Sequence, residues 1–183
     1  MEKVSIHIGD CHAGKRAMII ETLLGSCVAV CLIDPVEKIG GMNHILLPGE
    51  ARVGRCDAVT RYAVNAMELL INKIMALGGN RSRLRAKVFG GAHVIAAFSG
   101  ANSMGRINVN FVLNFLKLEA IPVVARDLGG RDARRIYFRT DTGEVFLKRI
   151  AFAKRHSVGA QEHKLQKRIR SEIEKGGEIT LFT

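Results

Sequence analysis

The chain has 183 residues, of which 48% are apolar and 25% are charged, with a formal net charge of +11. This length and composition predict one globular domain with a buried core and argue against intrinsic disorder. No run of about 20 apolar residues suits a membrane-spanning helix. The N-terminus has no charged stretch followed by an apolar one, so no signal peptide is expected and the protein is predicted to be cytoplasmic and not inserted into a membrane.

Four cysteines are present: Cys11, Cys27, Cys31 and Cys56. In a reducing cytosol we expect free thiols rather than structural disulfides. Zinc sites show paired, closely spaced ligands, and these cysteines do not have such a pattern. The sequence therefore predicts neither a metal nor a cofactor.

The first third of the chain is predicted to consist of strands and turns. Residues 4–8 alternate apolar and polar side chains, as a half-buried strand does, and residues 18–24 form a second candidate. Residues 28–33 are an apolar run that Asp34-Pro35 ends. Residues 39–47 form a further buried strand, which a hairpin connects to the preceding one.

The strongest helical pattern follows at residues 57–77. Asp57 is a suitable N-cap, and apolar residues recur behind it at helical spacing. Gly78-Gly79 is a typical C-terminal stop. We therefore expect an amphipathic helix that packs against the strands.

The next segments alternate between the two element types. The pattern predicts a strand at 85–89, a helix at 106–118 and a strand at 121–125. A hairpin of residues 136–139 and 144–147 is expected around Asp141-Thr142-Gly143. This order predicts an α/β (mixed α+β) fold, a layered sandwich of mixed β-sheet and helices.

The composition changes near residue 148. Nine basic and four acidic residues give the segment 148–183 a net charge of +5. We divide the chain into a main domain, residues 1–150, and a basic C-terminal extension of the same domain, residues 151–183, with a helix at about 161–175. Two interpretations stay open for that helix: a solvated charged face, or a docking surface for an acidic partner.

Cys27 and His44 are the residues best placed for chemistry. Cys27 follows a Gly25-Ser26 turn between two apolar strands, and the backbone N–H groups of such a turn can form an oxyanion hole. His44 lies on the neighbouring strand and is able to act as the base of a cysteine. The alternatives are a cysteine that is a small buried hydrophobe and a core histidine bonded to the backbone. His93, after a Gly-Gly-Ala sequence, is a candidate for lining a cleft, and Cys31 is expected in the core.

Several separated motifs, in the same order, resemble the chemoreceptor glutamine deamidase family, CheD. They cover the chain from about residue 3 to 149 and lie at residues 22–32, 40–48, 87–92, 105–109, 125–130 and 134–138. Members of that family often have asparagine at the position of His93, so the local pocket shape departs from the family pattern.

The resemblance implies a layered α/β sandwich with a papain-like Cys-His site. Its nucleophile falls on Cys27 and its base on His44, and a family threonine that supports the histidine falls on Thr22. Gly25 and Ser26 would form the oxyanion turn. The implied reaction converts glutamine side chains of chemoreceptors to glutamate through a cysteine thioester, and glutamate methyl esters would react by the same route.

The resemblance also implies two protein partners: the cytoplasmic domain of chemoreceptors, as substrate, and the chemotaxis phosphatase CheC.

Two other functions are compatible with the sequence. The first is a non-enzymatic binding module that regulates a chemotaxis phosphatase. The second is a nucleic-acid binder, which the positive charge suggests; however, only 5% of residues are aromatic, tryptophan is absent and no nucleic-acid-binding motif is present. We therefore predict no nucleic-acid partner.

Overall fold

A computed structural model describes residues 1–47, 57–93, 103–150, 162 and 164–171. Within these ranges the helices are α1 (Ala58–Ala76), a 3-10 helix (Arg81–Arg83) and α2 (Met104–Leu118), and residues 162 and 164–171 are also helical. We call the last group the C-terminal helical segment. The strands are β1 (Glu2–Ser5), β2 (Cys11–Gly14), β3 (Met18–Leu24), β4 (Val28–Asp34), β5 (Ile39–Ile45), β6 (Arg85–Gly90), β7 (Val123–Leu128), β8 (Ala133–Arg139) and β9 (Val145–Ile150).

The strands form two mixed sheets. One has four strands in the order β1-β3-β8-β9, and the other has five in the order β2-β5-β4-β6-β7. The β1–β3 and β6–β7 pairs are parallel, and the other pairs are antiparallel. Helices α1 and α2 pack on one face of the five-stranded sheet, and the four-stranded sheet packs on its other face. The layered mixed α+β fold expected from the sequence is confirmed.

The central strand β4 explains how the layers are held together. All seven of its residues are buried, and so are all seven of β5. Because side chains alternate along a strand, Val28, Val30 and Leu32 face the helices, whereas Ala29 and Cys31 face the four-stranded sheet. A strand covered on both faces reads as a continuous apolar run, which is the pattern seen in the sequence.

Helix α1 begins and ends where its sequence indicates. The Asp57 side chain accepts a hydrogen bond from the Thr60 N–H at 2.8 Å, so the expected N-cap is confirmed. Helix residues end at Ala76, and Gly78 adopts a φ of +103°, a conformation that glycine takes without strain. The buried stripe of α1 lies against the five-stranded sheet. Among the described residues, no helix combines the length and apolar character needed to cross a bilayer.

Several predicted limits were wrong, and pairing partners explain the differences. The first strand is Glu2–Ser5 rather than 4–8, because its ladder with β3 starts at Glu2 and a turn follows, in which the His7 N–H binds the Asp10 carboxylate. Strand β2 was missed: it is a short edge strand defined only by its pairing with β5. Strand β7 begins at Val123 rather than at 121, and β8 begins at Ala133 rather than at 136.

The remaining elements agree more closely with expectation. Helix α2 starts at Met104, two residues before the predicted start, and ends at Leu118 as predicted. The hairpin of β8 and β9 around Thr142-Gly143 is confirmed. In the tail, residues 162 and 164–171 are helical as expected, whereas 161, 163 and 172–175 of the predicted helix lie outside the described residues.

Candidate active site

A threonine and a histidine meet in the space between the two sheets. Thr22 on β3 and His44 on β5 are both buried, and Thr22 Oγ1 lies 2.7 Å from His44 Nδ1. The two strands belong to different sheets, so this hydrogen bond joins the layers across their interface. Thr22 and His44 are thus brought together as the family resemblance implied.

The hydrogen bonds of Thr22 determine which nitrogen of His44 carries the proton. Thr22 Oγ1 donates its only hydrogen to the Ile6 carbonyl at 2.8 Å. Towards His44 it is therefore an acceptor, and His44 Nδ1 is the donor. In the neutral ring Nε2 then has a free lone pair, and it has no hydrogen-bond partner among the described residues. This tautomer leaves Nε2 ready to accept a proton.

Burial keeps the His44 ring neutral. Desolvation, and secondly the charge of His7, lower the pKa of His44 from 6.5 to about 3. At neutral pH the imidazole is therefore an uncharged acceptor, as a general base must be.

Cys27 lies on the same face of the five-stranded sheet as His44. It directly precedes β4, and Ala29, two residues further, pairs with His44. In an antiparallel pair such diagonal neighbours are about 7–8 Å apart at Cα, within reach of long side chains. The Cys27 side chain is fully buried. Its sulfur is not hydrogen-bonded to His44 Nε2 in this arrangement.

Three consecutive backbone N–H groups beside Cys27 converge on a single carboxylate. Glu162 Oε1 accepts from the N–H of Gly25 at 3.1 Å and from that of Cys27 at 3.4 Å, and Glu162 Oε2 accepts from the N–H of Ser26 at 3.0 Å. The Ser26 hydroxyl also donates to Oε2, at 2.8 Å. We call these three N–H groups the amide cradle. They form an anion-binding concavity of the kind that stabilises an oxyanion.

Gly25 is required by this close approach. A Cβ atom at Gly25 would lie 2.8 Å from both carboxylate oxygens of Glu162. Only a residue without a side chain leaves room for a carboxyl group directly over the backbone.

The thiol of Cys27 is kept protonated in this arrangement. Burial raises its pKa well above 9.0, and the charge of Glu162 and a hydrogen bond to that carboxylate raise it further. With His44 neutral as well, the resting pair is thiol and imidazole rather than thiolate and imidazolium.

Two residues that follow strand β6 fix the Gly25–Cys27 turn through hydrogen bonds to its carbonyl groups. The N–H of Gly91 donates to the Cys27 carbonyl at 2.7 Å, and the N–H of Ala92 donates to the Gly25 carbonyl at 2.8 Å. Gly90 has a φ of +116°, and a Cβ there would lie 2.1 Å from the Cys27 oxygen. The carbonyls of the turn are thus directed away from the site, so its N–H groups face the carboxylate.

Asn108 on α2 fixes the same turn from the other side and was not singled out by the sequence. It is fully buried; its Nδ2 donates to the Ser26 carbonyl at 2.9 Å, and its Oδ1 accepts from the Leu47 N–H at 2.8 Å. One amide therefore connects the loops that follow β3 and β5. It lies within the motif at 105–109, but only the fold reveals its role.

A buried arginine forms hydrogen bonds to the ends of strands β6 and β7. Arg134 on β8 is fully buried and donates to the carbonyls of Gly90, Asp127 and Gly129, and it forms an ion pair with the Asp127 carboxylate. A guanidinium can serve several acceptors at once because of its fork of five donors. Arg134 thereby joins the end of β6, which supports the Cys27 turn, to the end of β7.

A cavity of about 330 Å³ opens next to His44. His44 and Thr22 form part of its wall, together with residues 5–8, Glu21, Leu23 and Arg135. Glu162 and Leu165 of the C-terminal helical segment also line it. His44 and Glu162 therefore line the same cavity, which is large enough for an amino-acid side chain.

The other sequence candidates lie elsewhere. His93 is exposed, and its backbone N–H donates to the Gly130 carbonyl. Cys31 is buried in the core as expected, Cys11 is half-buried, and Cys56 lies outside the described residues. Within the described part of the chain, no three His, Cys, Asp or Glu side chains are grouped so that they could hold a metal ion.

Replacing Asn108 by alanine should destabilise the protein by about 2–4 kcal/mol, because it leaves a buried carbonyl and a buried N–H without partners. The measurement is the free energy of unfolding in urea. Asn114→Ala is the matched control: Asn114 is exposed on the same helix, so a change within about 0.5 kcal/mol is expected. Equal effects of the two substitutions would contradict the role given to Asn108.

Comparisons with known proteins bear on the identity of this site. The family model described as "CheD chemotactic sensory transduction" matches residues 46–149. A protein of Shewanella oneidensis named "Probable chemoreceptor glutamine deamidase CheD 1" is 43% identical over 182 residues, which are 98% of this chain and 87% of that protein. The corresponding CheD of Xanthomonas axonopodis pv. citri is 47% identical over 163 residues, 89% of this chain and 80% of the relative. That of Vibrio vulnificus is 39% identical over 191 residues, 100% of this chain and 87% of the relative.

The family model begins after Cys27 and His44, but the alignment with the Shewanella protein takes in nearly the whole chain. Identity at this level, over most of both sequences, together with the family match, shows that the chain belongs to the CheD family of chemotactic sensory transduction proteins.

Proposed function

We propose that this protein hydrolyses the side-chain amide of glutamine residues in the cytoplasmic domain of chemoreceptors, giving glutamate and ammonia. Cys27 is the nucleophile, His44 the base, and Thr22 orients the imidazole. The relatives named as chemoreceptor glutamine deamidases support this function. A binding module with an idle site is not favoured, because those relatives are named for a hydrolytic reaction.

The observation that carries the proposal is the occupant of the amide cradle. Its three N–H groups hold the carboxylate of a glutamate side chain next to the Cys27 thiol. The γ-carbonyl of a glutamine has the same shape and size. When a sulfur adds to that carbonyl, negative charge develops on an oxygen that the cradle is already arranged to receive.

The acylation step follows from this geometry. His44 Nε2 takes the proton of the Cys27 thiol, and the sulfur bonds to the side-chain amide carbon while the amide cradle binds the oxyanion. The C–N bond then breaks, and the proton on His44 passes to the departing nitrogen, which leaves as ammonia. The result is a thioester between Cys27 and the former glutamine.

Hydrolysis of the thioester completes the reaction. Neutral His44 takes a proton from water, the hydroxide oxygen bonds to the thioester carbon, and the C–S bond breaks. The proton returns from His44 to the Cys27 sulfur, and glutamate is released. A glutamate methyl ester would follow the same route with methanol as the leaving group, because only the first leaving group differs.

The net charge of +11 supports the choice of partner. Chemoreceptor cytoplasmic domains tend to be acidic at their surface, so opposite charges would speed encounter. We place the protein in the cytoplasm with its substrate, and the phosphatase CheC is a second proposed partner.

The test is to incubate a purified receptor cytoplasmic fragment with the protein and to measure ammonia release and the amide-to-acid mass change by peptide mass spectrometry. The matched control is the same fragment with the modified glutamines replaced by alanine. Ammonia release without a mass change at glutamine, or no release from a folded fragment, would contradict the proposal.

Thr22→Val should lower kcat by about 10–100-fold, because the isosteric side chain leaves the buried Nδ1–H of His44 without an acceptor, at a cost of about 1–3 kcal/mol. KM should change little, since Thr22 binds the imidazole and not the amide cradle. Thr22→Ser retains the hydroxyl and should restore most of the rate. A serine variant as slow as the valine variant would show that the hydroxyl is not what matters.

A further inference from the structure

The C-terminal helical segment places one acidic side chain deep in the proposed active site. Glu162 is separated from Cys27 by 135 positions in the sequence, yet it is 5% exposed and binds the N–H groups of Gly25, Ser26 and Cys27. The sequence showed it only as one of four acidic residues in a basic tail. A solvated surface charge does not account for this buried position.

The segment docks with one side of a helix rather than with a single side chain. Leu165, three residues after Glu162, lines the cavity beside His44. Gln166, four residues after it, donates through Nε2 to the Leu47 carbonyl at 3.4 Å and contacts the Met104 sulfur at 3.0 Å. Positions i, i+3 and i+4 share one helix face. Lys164 and Lys167, on the other side, are exposed.

The docked carboxylate affects two components of the proposed reaction, the amide cradle and the Cys27 thiol. It fills the amide cradle, so no substrate oxyanion can bind there. It also raises the pKa of the Cys27 thiol, because its charge disfavours a thiolate and the carboxylate can accept the thiol hydrogen. The arrangement around Glu162 is that of an enzyme with its product, a glutamate side chain, still bound.

We infer that the C-terminal helical segment is a built-in product mimic: Glu162 occupies the receptor-glutamine site of the resting enzyme and must leave before a receptor side chain can enter. This inference rests on the proposed function for its chemistry. It makes the tail a competitive inhibitor within the same chain, so a partner or receptor that draws the basic helix away would activate the enzyme.

A carboxylate that only stabilises the Gly25–Cys27 turn would make the same hydrogen bonds. The two roles predict different results when the glutamate at position 162 is replaced by glutamine. In a site that hydrolyses glutamine, a glutamine at position 162 is an intramolecular substrate, whereas in a merely structural site it is inert.

The first experiment is therefore Glu162→Gln. Cys27 should attack the side-chain amide of the new residue, release ammonia and form an internal thioester, and water should then convert that residue to glutamate. Peptide mass spectrometry in heavy-oxygen water should find one labelled oxygen at position 162. Gln166 on the same segment is the internal control and should stay an amide. The double variant with Cys27→Ala should stay unconverted at position 162.

The second experiment measures how accessible and reactive the Cys27 thiol is. In Glu162→Ala, alkylation of Cys27 by iodoacetamide should be faster by about tenfold, because the four hydrogen bonds that hold the carboxylate over the site are lost. Receptor deamidation should rise by a similar factor. Lys167→Ala, on the exposed side of the segment, is the control for helix changes in general. Cys31 reports on unfolding: its alkylation should not rise, since it stays in the core.

The outcomes separate the inference from the function on which it rests. Conversion of position 162 that depends on Cys27, with faster alkylation in Glu162→Ala, supports the inference. A glutamine at 162 that persists while the same variant deamidates receptors overturns it, and so does unchanged alkylation of Cys27 in Glu162→Ala. Faster alkylation, with no deamidation of receptor or of position 162, would refute the proposed function and leave Glu162 as the group that closes the site.

Discussion

Replacing Cys27 by alanine should reduce the rate of receptor deamidation by roughly 10³–10⁶-fold. This is the range found when the nucleophile is removed from a set of catalytic residues that act together. The measurement is the initial rate of ammonia release from a receptor fragment. Alanine removes the sulfur and retains the backbone N–H that contributes to the amide cradle. Receptor binding should therefore persist while chemistry is lost.

Cys31→Ala is the matched control for Cys27→Ala. Cys31 lies four residues further along the chain, faces the same layer and is also buried. Burial raises the pKa of its thiol strongly, which suits a core residue. Its removal leaves a small cavity at a modest cost in stability, and the rate should stay near that of the wild type. A Cys27→Ala protein that retains most of its rate, or a Cys31→Ala protein that loses it, would show that the nucleophile is wrongly assigned.

The charge state of the site explains why Cys27 should be slow to react in the resting protein. A cysteine is activated when a neighbouring base or positive charge lowers the pKa of its thiol. Here burial and the Glu162 carboxylate act in the opposite direction, and His44 is neutral. Activation then requires removal of the carboxylate and contact between the Cys27 sulfur and the imidazole, so that His44 Nε2 can take the thiol proton.

Local patterns were sufficient to predict several elements around the proposed dyad. Residues 18–24 were expected as a strand and are β3, the limits of α1 followed from its cap and its glycine stop, and β4 followed from its unbroken apolar run. Cys27 and His44 were expected on neighbouring strands, and the register places them on one face. These features depend on short-range sequence, which is why one sequence reveals them.

Features that depend on distant partners were not predictable in this way. Strand β2 forms because it pairs with β5, and nothing in its own four residues indicates a strand. Asn108 and Arg134 lie in motifs of the family resemblance, but their hydrogen bonds to the loops around Cys27 are visible only in three dimensions. The sequence pattern did not single out Glu162, because a single carboxylate in a basic helix is typical of a solvent-exposed surface.

Replacing His44 by asparagine should have two opposite effects, a lower rate and a higher stability in acid. Asparagine keeps an N–H donor where Nδ1 faces Thr22 but removes the Nε2 base, so kcat should fall by about 10²–10⁴-fold. His93→Asn is the control for the rate: His93 is exposed, and the variant should remain active.

The stability effect follows from the pKa of the buried ring. The folded protein holds the pKa of His44 at about 3, below the value of 6.5 for a free side chain. Below pH 6.5 the unfolded chain therefore binds a proton that the folded protein does not, and stability falls as the pH drops from 6.5 towards 3. Each pH unit costs up to about 1.4 kcal/mol, so roughly 2–3 kcal/mol is lost between pH 6.5 and 4.5.

His44→Asn has no such proton to bind and should lose less stability over that interval, by about 2–3 kcal/mol. Urea unfolding of the wild type and of the variant at pH 7 and pH 4.5 measures the difference. The interval lies above the range in which the buried Asp34 titrates, since its pKa is lowered mainly by its hydrogen bonds to Arg83. Equal losses in both proteins would mean that His44 is not held neutral by the fold, and the base in the proposed mechanism would then need another source.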